Sequence, residues 1–168
     1  TSIDGAFSDS WSYSGRLNLL SSDPKALYQN FLHSDELDFV NWFYVTYSTG
    51  DFSFSLGKDI LYFGGYEIDA DDADAYSEMN STFWNSLSCW QLGGNVSYSP
   101  SDAFSLSYQL ASSPFNELAF DSGLLAHSLY LNASAGVWST ISSFNLVEME
   151  KGSFIKNVFL GNQFEMGG

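Results

Sequence analysis

The sequence predicts an all-β protein: an antiparallel meander of about eight strands forming a transmembrane β-barrel, or part of one. Three observations carry this. Apolar and small polar residues alternate with period 2 through much of the chain, most clearly at Phe104, Leu106, Tyr108 and Leu110 against Ser105, Ser107 and Gln109. Aromatics make up 18% of the 168 residues, with 15 Phe and 10 Tyr. Charged residues make up only 15%, against roughly 25% in ordinary soluble domains. Ser, Asn and Gly fill the polar positions instead. Strands with one aromatic face and one uncharged polar face suit a wall with hydrocarbon outside and a polar interior.

The elements follow in order. Residues 8–20 set Trp11, Tyr13, Leu17 and Leu19 against Ser12, Ser14, Arg16 and Asn18, a strand starting near Asp9. Residues 21–34 read as a loop, with a turn start at Asp23-Pro24 and a helical turn through Ala26, Leu27 and Tyr28. Residues 36–66 form the hairpin that organises the chain, turning at Thr49-Gly50-Asp51. In its first strand Trp42 and Tyr44 oppose Phe39, Phe43 and Val45, so both faces are partly apolar. In its second, Phe52, Phe54 and Leu56 alternate with Ser53, Ser55 and Gly57. Lys58 falls on the apolar parity. Either a bulge near Gly57 breaks the parity, or Lys58 sits at a membrane edge and snorkels.

Residues 64–88, rich in Asp, Asn and Ser, are the longest break. Connections of that length are usually functional or disordered. Strands follow at 90–98 and 103–111, joined by the turn Ser99-Pro100-Ser101-Asp102. After a loop at 112–123, residues 125–135 set Leu129, Leu131 and Ala133 against Ser128, Tyr130, Asn132 and Ser134. Turns at Gly136-Val137 and Glu150-Lys151-Gly152 separate the last strands, 138–149 and 154–164. Residues 1–168 thus form one domain, a barrel or a piece of one, with no helix long enough for a crossover.

The net charge is −15, from 20 acidic and 5 basic residues. Phosphate backbones need Lys and Arg, so nucleic acid is excluded as a partner, and anionic lipid surfaces exert no attraction. Cys89 is the single cysteine, so no internal disulfide forms; flanking Leu87 and Trp90 point to a packed thiol. No apolar run approaches the roughly 18 residues of a membrane helix. Thr1-Ser2-Ile3-Asp4 lacks a basic start and an apolar stretch, as in a processed exported protein or a piece of a longer chain. No nucleophile elbow, zinc spacing or phosphate-cradling glycine loop occurs, and the acids sit mostly in loops, so no enzyme is expected.

Four residues on polar faces are candidates for lining a pore: Arg16, Gln109, Tyr130 and Asn132. Arg16 reads equally as a strand-end ion pair. Asp69, Asp71, Asp72 and Asp74, beside Glu67 and Glu78, form a candidate Ca²⁺ loop. Their spacing resembles the start of an EF-hand, but its glycine and closing glutamate are missing, and a solvated loop fits as well. Trp11, Trp42, Trp90 and Trp138 could form an interfacial girdle in a barrel or core in a soluble fold.

The words Gly57-Lys58-Asp59 and Gly64-Gly65-Tyr66-Glu67, preceded by FYVTYS and DFSFSL, and the run at 138–164, resemble the phosphate-selective porin O and P family of outer-membrane barrels, Bacteroidetes branch, over residues 36–166. The resemblance implies a bacterial outer-membrane location, a lipid surround, a sixteen-stranded barrel and a homotrimer with a water-filled pore. Eight strands are half such a barrel, and the ending Phe164-Glu165-Met166-Gly167-Gly168 lacks a terminal aromatic, as expected of a fragment; a self-contained eight-stranded barrel is the alternative. One departure counts against phosphate: anion-selective members line the pore with Arg and Lys, and here Arg16 alone is clearly on a polar face. The function expected is passive diffusion of small hydrophilic solutes or ions. Two other readings stand beside it: a plugged barrel serving as a structural subunit of an outer-membrane complex, and a soluble β-sandwich that binds glycans and packs its apolar faces together.

Overall fold

The computed structural model describes residues 2–17, 40–66 and 89–165. Within them lie nine strands: β1 (Ser2–Ser8), β2 (Trp11–Leu17), β3 (Val40–Thr49), β4 (Phe52–Ile60), β5 (Trp90–Ser101), β6 (Phe104–Ser112), β7 (Leu125–Ala135), β8 (Trp138–Glu150) and β9 (Ser153–Phe164). They form one antiparallel sheet in which each strand pairs with the next in sequence. The meander is as expected, but the strand count is nine rather than eight. Residues 2–8 pair with β2 from Ser2–Arg16 to Ser8–Trp11. Their alternation is weak in sequence because Gly5 leaves a gap between Ile3 and Phe7; the Tyr13 ring fills it from β2. Among the described residues the sheet is open, β1 and β9 each having one neighbour. The helical turn expected at 26–28 and the first residues of the 36–66 hairpin lie outside the described residues.

Register decides which side chains share a face. One face carries Tyr47, Phe54, Val96, Tyr108, Leu129, Phe144 and Val158, which are successive cross-strand partners from β3 to β9. The other carries the row Thr46, Ser55, Asn95, Gln109, Ser128, Asn145 and Asn157. Exposure reverses the order of an ordinary soluble sheet. Leu56 is 72% exposed and Leu160 76%, while Gln109 is 3% exposed and Asn145 is fully buried. The apolar face is open; the polar face is covered.

The connections are unequal at the two ends. Turns of two residues, Asp9-Ser10, Gly50-Asp51, Asp102-Ala103 and Gly136-Val137, close one end. At the other end, 22, 29 and 12 residues of sequence separate β2 from β3, β4 from β5 and β6 from β7, and a short turn at Lys151-Gly152 joins β8 to β9. Gly50 takes φ +55, as its turn requires.

Lys58 follows neither expectation. Pairing runs without a bulge from Phe43–Lys58 to Thr49–Phe52 and from Phe52–Tyr98 to Ile60–Trp90. Gly57 absorbs the distortion with φ +148, and a Cβ there would strike the Phe43 carbonyl and Tyr44. Lys58 is fully buried, and its Nζ donates to the Val40 carbonyl at 3.0 Å. An ammonium so placed holds strand to strand instead of snorkelling.

The apolar core is small and lies on the polar face. A row of small residues, Gly57, Gly93, Ala111 and Ala126, runs across β4 to β7 and continues to Val147. Leu61 and Phe63 pack there against Ala111, Ala126 and Val147, with Ile155 at the margin. Burying two such side chains contributes about 1.5–3 kcal/mol each.

Candidate functional site on the polar face

The site begins where β4 ends. Asp59 accepts the Ile60 amide at 2.8 Å, and the Leu61 amide donates to the carbonyl of Cys89 at 2.7 Å. Cys89 is buried, as expected of a packed thiol. Phe63 N then donates to Leu61 O at 2.7 Å, a three-residue turn, and Gly64 takes φ +93. The chain therefore leaves the sheet and lies across its polar face as a strap, residues 61–66.

Polar side chains of four strands fasten it. Gln109 on β6 accepts Tyr62 N at 2.9 Å and donates to Ile60 O at 2.8 Å. Asn95 on β5 donates to the Tyr62 phenol at 2.8 Å. Ser143 on β8 donates to Gly64 O at 2.8 Å, and the Ser139 and Tyr66 hydroxyls pair at 2.7 Å. Tyr62 and Tyr130 place their ring centroids 5.5 Å apart. Gly161 on β9 is needed where the strap crosses: a Cβ there would sit 2.6 Å from Ile141 O and 3.0 Å from the Tyr66 ring. Burial, and then the neighbouring Asp59 carboxyl, push the Tyr62 phenol above its ordinary range, so it stays protonated and a donor.

Beside the strap lies a small open recess, with room for about one water, lined by Tyr44, Ser55, Gly57, Asp59, Gln91, Asn95 and Gln109, among others. Its polar lining is one carboxyl, amides, a hydroxyl and a phenol. Further along the same row, Ser128 Oγ and Asn145 Oδ1 are buried without a hydrogen-bond partner among the described residues.

The four pore-lining candidates all fall on this face, in different settings. Gln109 is buried as the strap's anchor. Tyr130 is half-buried against Tyr62, and Asn132 is exposed. Arg16 is exposed on β2, opposite Trp42, with its guanidinium 5.4 Å above that ring. Of the tryptophans, Trp11 and Trp138 lie at the short-turn end, while Trp42 and Trp90 stack at 4.9 Å toward the other end. The acidic stretch Asp69, Asp71, Asp72 and Asp74 lies outside the described residues. The strap was missed in sequence because Leu61-Tyr62-Phe63 reads as more strand. The available signal was the loss of alternation there, just before Gly64-Gly65.

No known protein-family model, no curated protein and no solved structure matches this chain.

Proposed function

We propose that this sheet is part of the wall of an outer-membrane β-barrel through which small hydrophilic solutes diffuse passively. The observation that carries the reading is the inverted sheet: a predominantly apolar face left open and a polar face, with few charges, largely covered. Water penalises the first arrangement and hydrocarbon favours it. A soluble sandwich would cover its apolar face with a second sheet, and the described residues form a single sheet.

Three features agree. Short turns at one end and long connections at the other match the two rims of such barrels. Trp11, Tyr47, Phe52, Tyr98, Trp138 and Phe164 lie on the apolar face toward the short-turn end, with Trp11–Tyr47 and Phe52–Tyr98 centroids each at 4.9 Å, as an interfacial belt requires. From Phe154 to Phe164, β9 rises about 33 Å at 3.3 Å per residue. Tilted by about 40°, that spans about 25 Å, the usual height of the apolar band. Closure requires the edges of β1 and β9 to pair with further strands or with each other, and the resemblance to the phosphate-selective porins would make this sheet part of a sixteen-stranded, trimeric barrel.

A second reading has an observation of its own. The strap fills part of the polar face from β5 to β9, as in a plugged barrel serving an outer-membrane assembly. Native gel migration before and after boiling in SDS, followed by conductance in planar bilayers, tests both. A shift with conductance supports the channel. A shift without conductance supports the plugged subunit. Recovery in buffer without a shift overturns both.

A further inference from the structure

We infer that the free edge of β9 is closed by strands that residues 1–168 do not supply, odd in number, the first of them antiparallel to β9. Neither β1 nor a second copy of this chain closes it. The inference rests on the barrel reading, and its test separates the two.

Strand direction decides it. β1 runs from the level of Arg16 to that of Trp11, toward the short turns. β9 starts at the Lys151-Gly152 turn and ends at Phe164 beside Trp138, also toward the short turns. Strict sequence order therefore leaves the two edge strands parallel. Every pairing within the sheet is antiparallel. A seam of β9 against β1 would be of the weaker, parallel kind, in hydrocarbon that offers no water to complete it. A ring of copies repeats that seam, with β9 against β1 of the next copy. A copy turned over pairs β9 with β9 antiparallel, but sets its short turns against the long connections and breaks the aromatic belt. An odd set of added strands makes both seams antiparallel. The connections from β2 to β3, β4 to β5 and β6 to β7 each leave and re-enter the wall at one end. Whatever they add to the wall comes in even numbers, so the odd set has another source.

Two further observations mark this edge as a covered one. β9 is 12 residues long, holds no proline, and keeps register with β8 unbroken from Trp138–Phe164 to Glu148–Phe154. Bare edges are usually blunted by proline, a bulge or a short strand. The strap also reaches β9, where Tyr66 lies against Gly161 and bonds Ser139 of β8. A barrel of about eight strands is filled by its own side chains. Nine strands closed on themselves would leave no room for a strap bearing Leu61, Tyr62, Phe63 and Tyr66. The added strand continues the alternation of β9, with apolar residues beside Val158 and Leu160 and polar or small ones beside Asn157 and Gly161.

The test places the photo-crosslinker benzoylphenylalanine at Phe154 and, separately, at Phe164 of the protein in the cells that make it. Adducts on the flank away from β8 are mapped by mass spectrometry, and migration before and after boiling in SDS is recorded on the same samples. The expected result is one segment foreign to residues 1–168, captured at both positions. Its residue bonded at Phe164 comes about ten positions before the one bonded at Phe154, as antiparallel pairing requires. The reverse order marks a parallel seam and overturns the inference. Adducts to Ser2–Ser8 or to β9 of a second copy overturn it too, as do adducts to lipid alone or a segment captured at one position only. Where the heat shift is present, these outcomes leave the barrel standing. Recovery in buffer without a shift overturns the barrel and the inference together. If either variant loses the shift, the crosslinker is moved to Val158 and the same order is read over the shorter span.

Discussion

Gln109 holds Tyr62 through both ends of one amide: Oε1 accepts the Tyr62 backbone N–H at 2.9 Å, and Nε2 donates to the neighbouring Ile60 carbonyl at 2.8 Å. A strand side chain thereby replaces the ladder partners that the chain loses on leaving β4. Gln109→Leu would leave both backbone groups buried and unmatched, at about 1–3 kcal/mol each. Its expected result is a lower temperature for conversion of the native band in SDS, with new protease cleavage near residues 61–66. Gln109→Glu keeps an acceptor for Tyr62 N and loses the donor to Ile60 O, so it should fall between. Equal stability of all three proteins would mean that the strap does not depend on this anchor.

Gly93 separates two causes of glycine use. A Cβ at Gly93 would lie 2.5 Å from Leu110 O and 2.6 Å from the Cβ of Ala111, so β5 and β6 would have to move apart. Gly136 has nothing within 4 Å of its would-be Cβ but takes φ +61. Gly93→Val is expected to prevent formation of the folded, heat-shifted species. Gly136→Ala costs only backbone strain, about 1 kcal/mol. Normal folding of Gly93→Val would show that the close approach of β5 and β6 is dispensable.

The strands were legible because alternation is a local property and the structure keeps it: Phe104, Leu106 and Tyr108 are exposed on one face, and Ser107 and Gln109 are buried on the other. Their partners were not legible. The alignment of Gly57, Gly93, Ala111 and Ala126 exists only once four strands are in register. That alignment gives Leu61 and Phe63 a shelf to lie on. Gln109 was identified as a polar-face residue, but its role as an anchor depends on a segment nearly fifty positions away. Lys58 defeated parity reasoning because a glycine beside it absorbed the distortion without a bulge.

Two buried serines should respond oppositely to loss of their hydroxyls. Ser113 Oγ donates to Glu148 O at 2.6 Å and accepts Phe115 N at 3.3 Å, fastening the 113–124 connection to β8. Ser128 Oγ is equally buried and has no partner among the described residues. Denaturant titration should place Ser113→Ala about 1–2 kcal/mol below wild type and Ser128→Ala within about 0.5 kcal/mol of it or above. A large loss at Ser128 would mean that its hydroxyl is in use in the native protein.

The sharpest probe of the surroundings is a charge at the middle of β7. Leu129 lies on the apolar face between Tyr108 and Phe144, 44% exposed. Asn132, on the opposite face of the same strand, is also exposed. Against water, Leu129→Arg would be harmless, since an exposed leucine gains nothing from its position. Against hydrocarbon, an arginine near the bilayer midplane costs about 2–4 kcal/mol. Asn132→Arg should be nearly neutral in both cases, because its face is polar. Folding both variants into lipid vesicles and titrating with denaturant compares them directly. A loss of that size at Leu129 with little change at Asn132 supports a lipid-facing apolar surface. Equal behaviour of the two variants would remove the main support for the barrel and return the protein to a soluble partner for its apolar face.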